Sequence, residues 1–291
     1  MRSPALALAL ATFFWSGNFV AGRALRGQID PLALNFLRWS LALAILAPFV
    51  WRSVVASLPV LRREWRLIVA LGATGLAGFH TMSYVALQTT TVTNALLVLS
   101  LAPIPTLIGA AALGMGRPSR QQILGALISI LGAGVLITRG DVATIMQHGF
   151  NGGDLLMLLG ITIWAAYTLL LRQRPADLSP AVSLFASAAA AVAMMAPLLA
   201  FHAPPSLATL GAMPVLLSIG YIALFASAIA FMLWTYGVSQ LGPTRANQFV
   251  NLMPVFGAIL AYALLGEVPT PAQIGGAALV LSGIAVVERR R

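Results

Sequence analysis

Residues 118–133 read PSRQQILGALISILGA, and residues 269–284 read PTPAQIGGAALVLSGI. Pro118, Gln122, Ile123, Gly125, Ala126 and Gly132 of the first stretch recur as Pro269, Gln273, Ile274, Gly276, Ala277 and Gly283 of the second, each 151 positions later. Pro103 and Pro254 keep that spacing, Tyr84/Tyr236 and Gln88/Gln240 lie 152 apart, and Trp15/Trp164, Arg23/Arg172 and Pro31/Pro180 lie 149 apart. The chain thus reads as two copies of one unit, residues 1–140 and 153–291, joined by a polar, glycine-bearing loop over 141–152. Self-similarity of this kind marks a fold in which neighbouring units bury one another's apolar faces.

Composition says where those faces lie. Hydrophobic residues make up 59% of the 291 and charged residues only 8%, with a mean hydropathy of +0.92. A soluble domain carries about 25% charged residues, so a water-solvated surface cannot be built from this inventory. Apolar runs of about 20 residues, the length that crosses a bilayer, predict helices over 4–25, 31–51, 65–86, 92–114, 119–138, 153–171, 179–201, 213–236, 243–266 and 271–288. The runs are too long and unbroken for a transmembrane β-barrel, whose strands are short and alternate. The fold expected is an all-α membrane protein of ten transmembrane helices. Arg2 followed by an Ala/Leu run imitates a signal peptide, but the run continues through Trp15, Phe19 and Val20 without a polar cleavage region, so it is expected to be the first helix.

The charges orient the helices. All 17 basic residues are Arg. With the N-terminus inside, thirteen of them fall on the cytoplasmic side: Arg2, Arg52, Arg62, Arg63, Arg66, Arg117, Arg120, Arg172, Arg174, Arg245, Arg289, Arg290 and Arg291. Arg23, Arg26 and Arg139 fall outside, and Arg38 lies within the second helix. This bias predicts that both termini are cytoplasmic. It also accounts for the net charge of +10 without a nucleic-acid partner. Five helices per copy is an odd number, so the second copy enters from the opposite side and the repeats are expected to be inverted, about an axis in the membrane plane. A pair of inverted repeats has two mirror-related arrangements of similar energy, which suits a carrier better than a fixed pore. With no cysteine, disulfides and thiolate metal sites are excluded, and neither a cofactor nor a metal is expected. The Lys-free, Ala/Arg/Gly/Pro-rich usage suggests a bacterial cytoplasmic (inner) membrane.

The Trp15-Ser16-Gly17-Asn18 stretch, Arg38 midway along helix two, Pro103 and Pro254, and Leu265-Gly266-Glu267 running into Pro269 resemble the EamA branch of the drug/metabolite transporter superfamily, most of all its YddG-like bacterial amino-acid exporters. The resemblance covers nearly the whole chain, although Gly116 stands in the first copy where the second has Glu267. It implies export of neutral, aromatic or branched amino acids and related metabolites by a monomer or weak dimer. A sugar or nucleoside carrier is the alternative within the superfamily, and a lipid-scrambling or structural membrane protein the alternative outside it.

Polar and aromatic side chains within spans usually face the bundle interior. Trp15 and Asn18 share a face of helix one, His80 and Tyr84 of helix three, Trp164 and Tyr167 of helix six, and Asn247 and Asn251 of helix nine, while helix four offers Asn94 and Ser100. Together they suggest an aromatic cavity with amide and hydroxyl groups for a zwitterion, whose ammonium group an aromatic face attracts. The alternative reading is interfacial anchoring for Trp and Tyr and helix–helix bonding for Asn and Ser. Pro103, Pro105 and Pro254 are candidate kinks that free backbone carbonyls. Arg38 is expected to be structural, held by carbonyls, with carboxylate binding as the other possibility. All seven acids (Asp30, Glu64, Asp141, Asp154, Asp177, Glu267, Glu288) fall in loops or at span ends, which argues against an exporter of organic cations, since that needs an embedded carboxylate. His80 is the one proton-coupling candidate in mid-bundle, as His alone titrates near neutrality. A Gly237-Val238-Ser239 fragment with a distant His80 does not make an intramembrane hydrolase, and no metal or paired-Asp motif lies in the spans.

Overall fold

A computed structural model describes residues 3–141, 143, 151–202, 204–265 and 268–288. The 141–152 loop for the most part, Glu267, Arg2, Arg289–Arg291 and the side chain of Arg23 lie outside the described residues. The fold is all-α and multi-spanning, and nine helical segments among the described residues are long and apolar enough to cross a membrane. The tenth expected span is present as a shorter helix over Leu252–Leu265.

In chain order the helices are α1 (Pro4–Ala24), α2 (Pro31–Ala56), α3 (Leu58–Arg63), α4 (Trp65–Leu71), α5 (Phe79–Thr89), α6 (Val92–Ser100), α7 (Pro103–Ala112) and α8 (Arg120–Ile137) in the first half. The second half holds α9 (Gly152–Leu171), α10 (Pro180–Met195), α11 (Leu207–Gly211), α12 (Met213–Tyr221), α13 (Ala230–Leu241), α14 (Pro243–Ala246), α15 (Leu252–Leu265) and α16 (Pro271–Glu288). The third span is not one regular helix. A π-helical turn, Gly72–Gly78, joins α4 to α5, and a second, Ile222–Ile229, joins α12 to α13 in the corresponding place of the other half. A 3₁₀ turn, Asn247–Asn251, leads into α15.

Local sequence accounts for most helix starts. Asp30 caps α2, its carboxylate accepting from the Leu32 and Ala33 amides at 2.9 and 3.1 Å, with Pro31 at the first helical position. Ser119 and Gln122 close a capping box on α8. Pro103 and Pro105 lie in the first turn of α7, after a break at Leu101–Ala102, and Pro254 lies in the first turn of α15. Pro103 and Pro105 thus stand at a break inside one apolar span, Val92–Ala112, and Pro254 stands where the 3₁₀ turn passes into α15, so each marks a change in the helical hydrogen-bond pattern.

The motif that opened the sequence lies at the α8–α16 contact. A Cβ on Gly125 would stand 2.5 Å from the Gly283 carbonyl oxygen, and one on Gly132 would stand 2.7 Å from that of Gly276. The reverse approaches are 2.6 Å from Gly283 to the Gly125 oxygen and 2.7 Å from Gly276 to the Gly132 oxygen. As residue numbers rise along α8 they fall along α16, so the two helices run antiparallel. Exchanging each glycine for its counterpart 151 positions away converts one contact into the other.

Candidate functional site

The centre of the molecule is an aromatic cluster to which both halves contribute. Trp15 of α1 meets Trp164 of α9 edge to face, with centroids 5.2 Å apart. Trp15 also packs on Phe231 at 5.3 Å, and Trp164 on Phe79 at 5.0 Å. Phe231 lies 152 positions after Phe79, so these two contacts are again counterparts under the repeat. Trp234 completes the cluster at 5.1 Å from Trp15 and 5.3 Å from Trp164, and Tyr167 stacks on Trp164 at 5.2 Å. Aromatic pairs in such geometry contribute about 0.5–1.5 kcal/mol each beyond area burial.

Beside this cluster is a cavity of about 20 Å³, lined by Trp15, Asn18, Phe19, His80, Trp164 and Met253 among others. That is room for about one water molecule. Of the residues expected to form the site, Trp15, Asn18, His80 and Trp164 are in its wall. Tyr84 is held behind it, donating to Asn18 Oδ1 at 2.9 Å and accepting from Arg38 at 3.0 Å. The remaining candidates are drawn into bonds elsewhere. Asn247 donates to the Ala102 carbonyl and to Thr106 Oγ1, both at 2.7 Å, and accepts from Trp164 Nε1 at 2.9 Å. Asn251 donates to Ser129 at 3.1 Å, and Ser100 to the Leu97 carbonyl at 2.6 Å. Ser239 donates to the Tyr236 carbonyl at 2.7 Å, so it makes no pair with His80.

Both π turns supply carbonyls that lack a helical partner, because widening the turn shifts the hydrogen-bond register. In the second half the Ala226 oxygen accepts from Trp15 Nε1 at 2.8 Å and from Arg38 at 3.3 Å. Arg38 Nε also donates to Ser227 at 2.8 Å, and its guanidinium lies 5.2 Å from the Trp39 ring. In the first half the Leu76 oxygen accepts from Asn35 at 2.9 Å and from Trp39 Nε1 at 3.2 Å. His80 Nδ1 bonds the Gly75 oxygen at 2.9 Å. A carbonyl can only accept, so Nδ1 carries the hydrogen, and in the neutral ring Nε2 is left as an acceptor. A Cβ on Gly75 would meet the Tyr167 ring at 2.3 Å, so this turn needs glycine for the ring to approach.

Asp154 departs from what its position at a span end suggested. It is 1% exposed, pairs with Thr90, and lies within 3.3 Å of Asn94 Nδ2, while the Asn151 amide donates to it at 2.9 Å. Asn94 is therefore engaged with this carboxylate and absent from the cavity wall. Asn35, Trp39, Phe231 and Trp234 were missed as members of the central network. Asn35, Arg38, Trp39 and Ala42 recur at i, i+3, i+4 and i+7, and all four are buried, so this face of α2 was readable. The buried polar atoms without a hydrogen-bond partner among the described residues include Trp234 Nε1, both amide atoms of Gln248, Asn35 Oδ1 and Asn251 Oδ1.

The profile of the EamA-like transporter family matches residues 2–138 and again 151–289. The chain is 28% identical to the "Probable terminal-alkyne amino-acid exporter" of Streptantibioticus cattleyicolor, across 98% of this chain and 93% of that one. It is 26% identical to the "Biotin transporter" of Escherichia coli, across 95% and 90%. A solved crystal structure superimposes with a TM-score of 0.74 at 23% identity, covering 99% of this chain and 97% of that one, a likeness of fold. Among the described residues no cluster of His, Asp or Glu could hold a metal ion.

Proposed function

The chain belongs to the EamA-like transporter family of small-molecule carriers, not to the enzymes, and from that premise we propose that it exports neutral amino acids, aromatic and branched ones included, across a bacterial inner membrane by alternating access. The observation that carries the reading is the aromatic centre where Trp15 and Trp164, counterparts in the two halves, touch at 5.2 Å. An apolar wall suits an apolar side chain. Asn18 and the acceptor nitrogen left on His80 by its bond to Gly75 suit an ammonium group in the cavity wall. No carboxylate lines the cavity, which speaks against a preference for organic cations.

Alternating access is supported by the contacts that interconvert under the repeat, Gly125–Gly283 with Gly132–Gly276 and Trp15–Phe231 with Trp164–Phe79. They are what inverted five-helix repeats require at their axis. A cavity of about 20 Å³ is too small for any amino acid, so the centre must widen for a solute to enter. The Thr90–Asp154–Asn94 cluster would then seal the outer end, since it ties the α5–α6 junction to the start of α9. His80, packed against Phe79 at 5.0 Å and Phe231 at 5.5 Å, is held in place to offer its free nitrogen to the solute and does not couple protons, so transport follows the solute's own outward gradient.

Cells producing the protein should tolerate toxic analogues of neutral amino acids and release those amino acids, and a protonophore should leave efflux from loaded liposomes unchanged. Efflux of sugars, phosphate esters or biotin with no movement of any amino acid would refute the substrate assignment.

A further inference from the structure

A second cleft, of about 490 Å³, shares no lining residue with the central cavity. It opens between the loop joining α7 to α8 and the α13–α14 junction, and the end of α9 closes its third side. Its polar lining includes Arg117, Arg172, Gln122, Gln240 and Thr244, and no carboxylate. Both halves build it, and Gln122 Nε2 donates across it to Thr244 Oγ1 at 2.9 Å. Arg117 and Arg172 are exposed and form no ion pair among the described residues. Gly116 and Gly242, with φ of +107° and +80°, let the two loops turn back on themselves at the rim.

We propose that this cleft binds a phosphate-bearing anion between Arg117 and Arg172. Two guanidinium groups from separate loops, with no acid to neutralise them, make a site for an anion, and Arg–phosphate bonds are charge-assisted. The depth selects phosphate. Four spans start or stop at the cleft, at Ala112, Arg120, Leu171 and Leu241, so it lies at the edge of the hydrocarbon layer, where lipid headgroup phosphates are found. The same chemistry comes from two sources, an anionic phospholipid or a soluble phosphate ester. The site does not depend on which solute the central cavity carries.

The test uses purified full-length protein and three samples: wild type, the R117Q/R172Q double variant, and an R62Q/R66Q control that removes two exposed arginines outside the cleft lining. Both pairs are exposed, so all three should fold. Thermal unfolding is followed with added phosphatidylglycerol, with phosphatidylcholine, and with inorganic phosphate or glycerol 3-phosphate. Wild type and control should be stabilised at concentrations at least roughly tenfold lower than R117Q/R172Q requires. Protection by phosphatidylglycerol alone identifies a lipid headgroup, and protection by the soluble phosphates identifies a free metabolite. Equal shifts in wild type and R117Q/R172Q, no stabilisation by any phosphate compound, or an equal loss in the R62Q/R66Q control would each overturn the site. A general loss of stability in R117Q/R172Q that is independent of phosphate would also overturn it, leaving Arg172 only its place at the C-terminus of α9.

Discussion

Arg38 is a full charge with 0% exposure and no carboxylate partner among the described residues. Ser227, Tyr84 and the Ala226 carbonyl accept its donors, and two of those three belong to the other half of the chain. A guanidinium fork can reach all three at once, whereas a lysine head cannot. Removing it orphans buried acceptors, and a hydrogen bond to a charged group is worth about 1.5–3 kcal/mol. R38A should therefore lower the yield of folded protein, judged by monodisperse elution in detergent, and R38K should not restore it. R38A protein that is produced at full yield but fails to transport would instead make Arg38 a ligand for the solute.

At the scale of elements, the helix ends and the α8–α16 seam make separable predictions. A Cβ on Gly132 would stand 2.6 Å from the Val280 amide nitrogen, a backbone atom that cannot move aside, while one on Gly134 meets nothing within 4 Å. G132A should reduce the folded yield sharply. G134A, in the same helix, should be neutral or slightly stabilising, as Ala is the better helix former by up to about 1 kcal/mol. Equal behaviour of the two would mean that the close seam contributes nothing. The start of α2 carries a pH dependence. Burial by itself raises the pKa of Asp30, but the hydrogen bond and charge of His202, with the Ala33 and Leu32 amides, bring it below the ordinary 3.8. A group whose folded pKa is depressed adds stability above its unfolded value and loses it as the pH falls through the folded one. Wild type should accordingly lose more thermal stability than D30A on acidification from neutrality to about pH 3, and parallel loss in both would refute the assignment.

The ten apolar runs and the recurring Pro/Gln/Gly pattern made the architecture legible, because lipid exposure forces long apolar segments whatever the detail. The π turns were not legible. Gly72–Gly78 and Ile222–Ile229 share almost no sequence, and what they have in common is a register shift that no residue type announces. The site was half legible for a related reason. Trp15, Asn18, His80 and Trp164 lie on regular helix, where spacing gives direction, and they reach the cavity. Asn247 and Asn251 lie in a 3₁₀ turn, where the i, i+4 spacing read as one α-helical face no longer applies. Asp154 looked like an ordinary loop-end acid because burial at a span end depends on a partner, Thr90, 64 positions away.

On the scale of the whole molecule, two like halves enclose a centre that neither could form alone, and the account stands on that centre being the path of the solute. Trp164 tests it, since it touches Trp15, Phe79, Tyr167, Phe231 and Trp234 and lies in the cavity wall. The deciding measurement is counterflow of a radiolabelled neutral amino acid into liposomes preloaded with the same amino acid, using wild type and W164A reconstituted at equal, verified amounts. Wild type should accumulate label transiently above the external level, and W164A should do so roughly ten- to a hundredfold more slowly, the loss that follows from about 1.4–3 kcal/mol of wall contact. Wild-type liposomes that accumulate no amino acid, or W164A liposomes as fast as wild type, would contradict it.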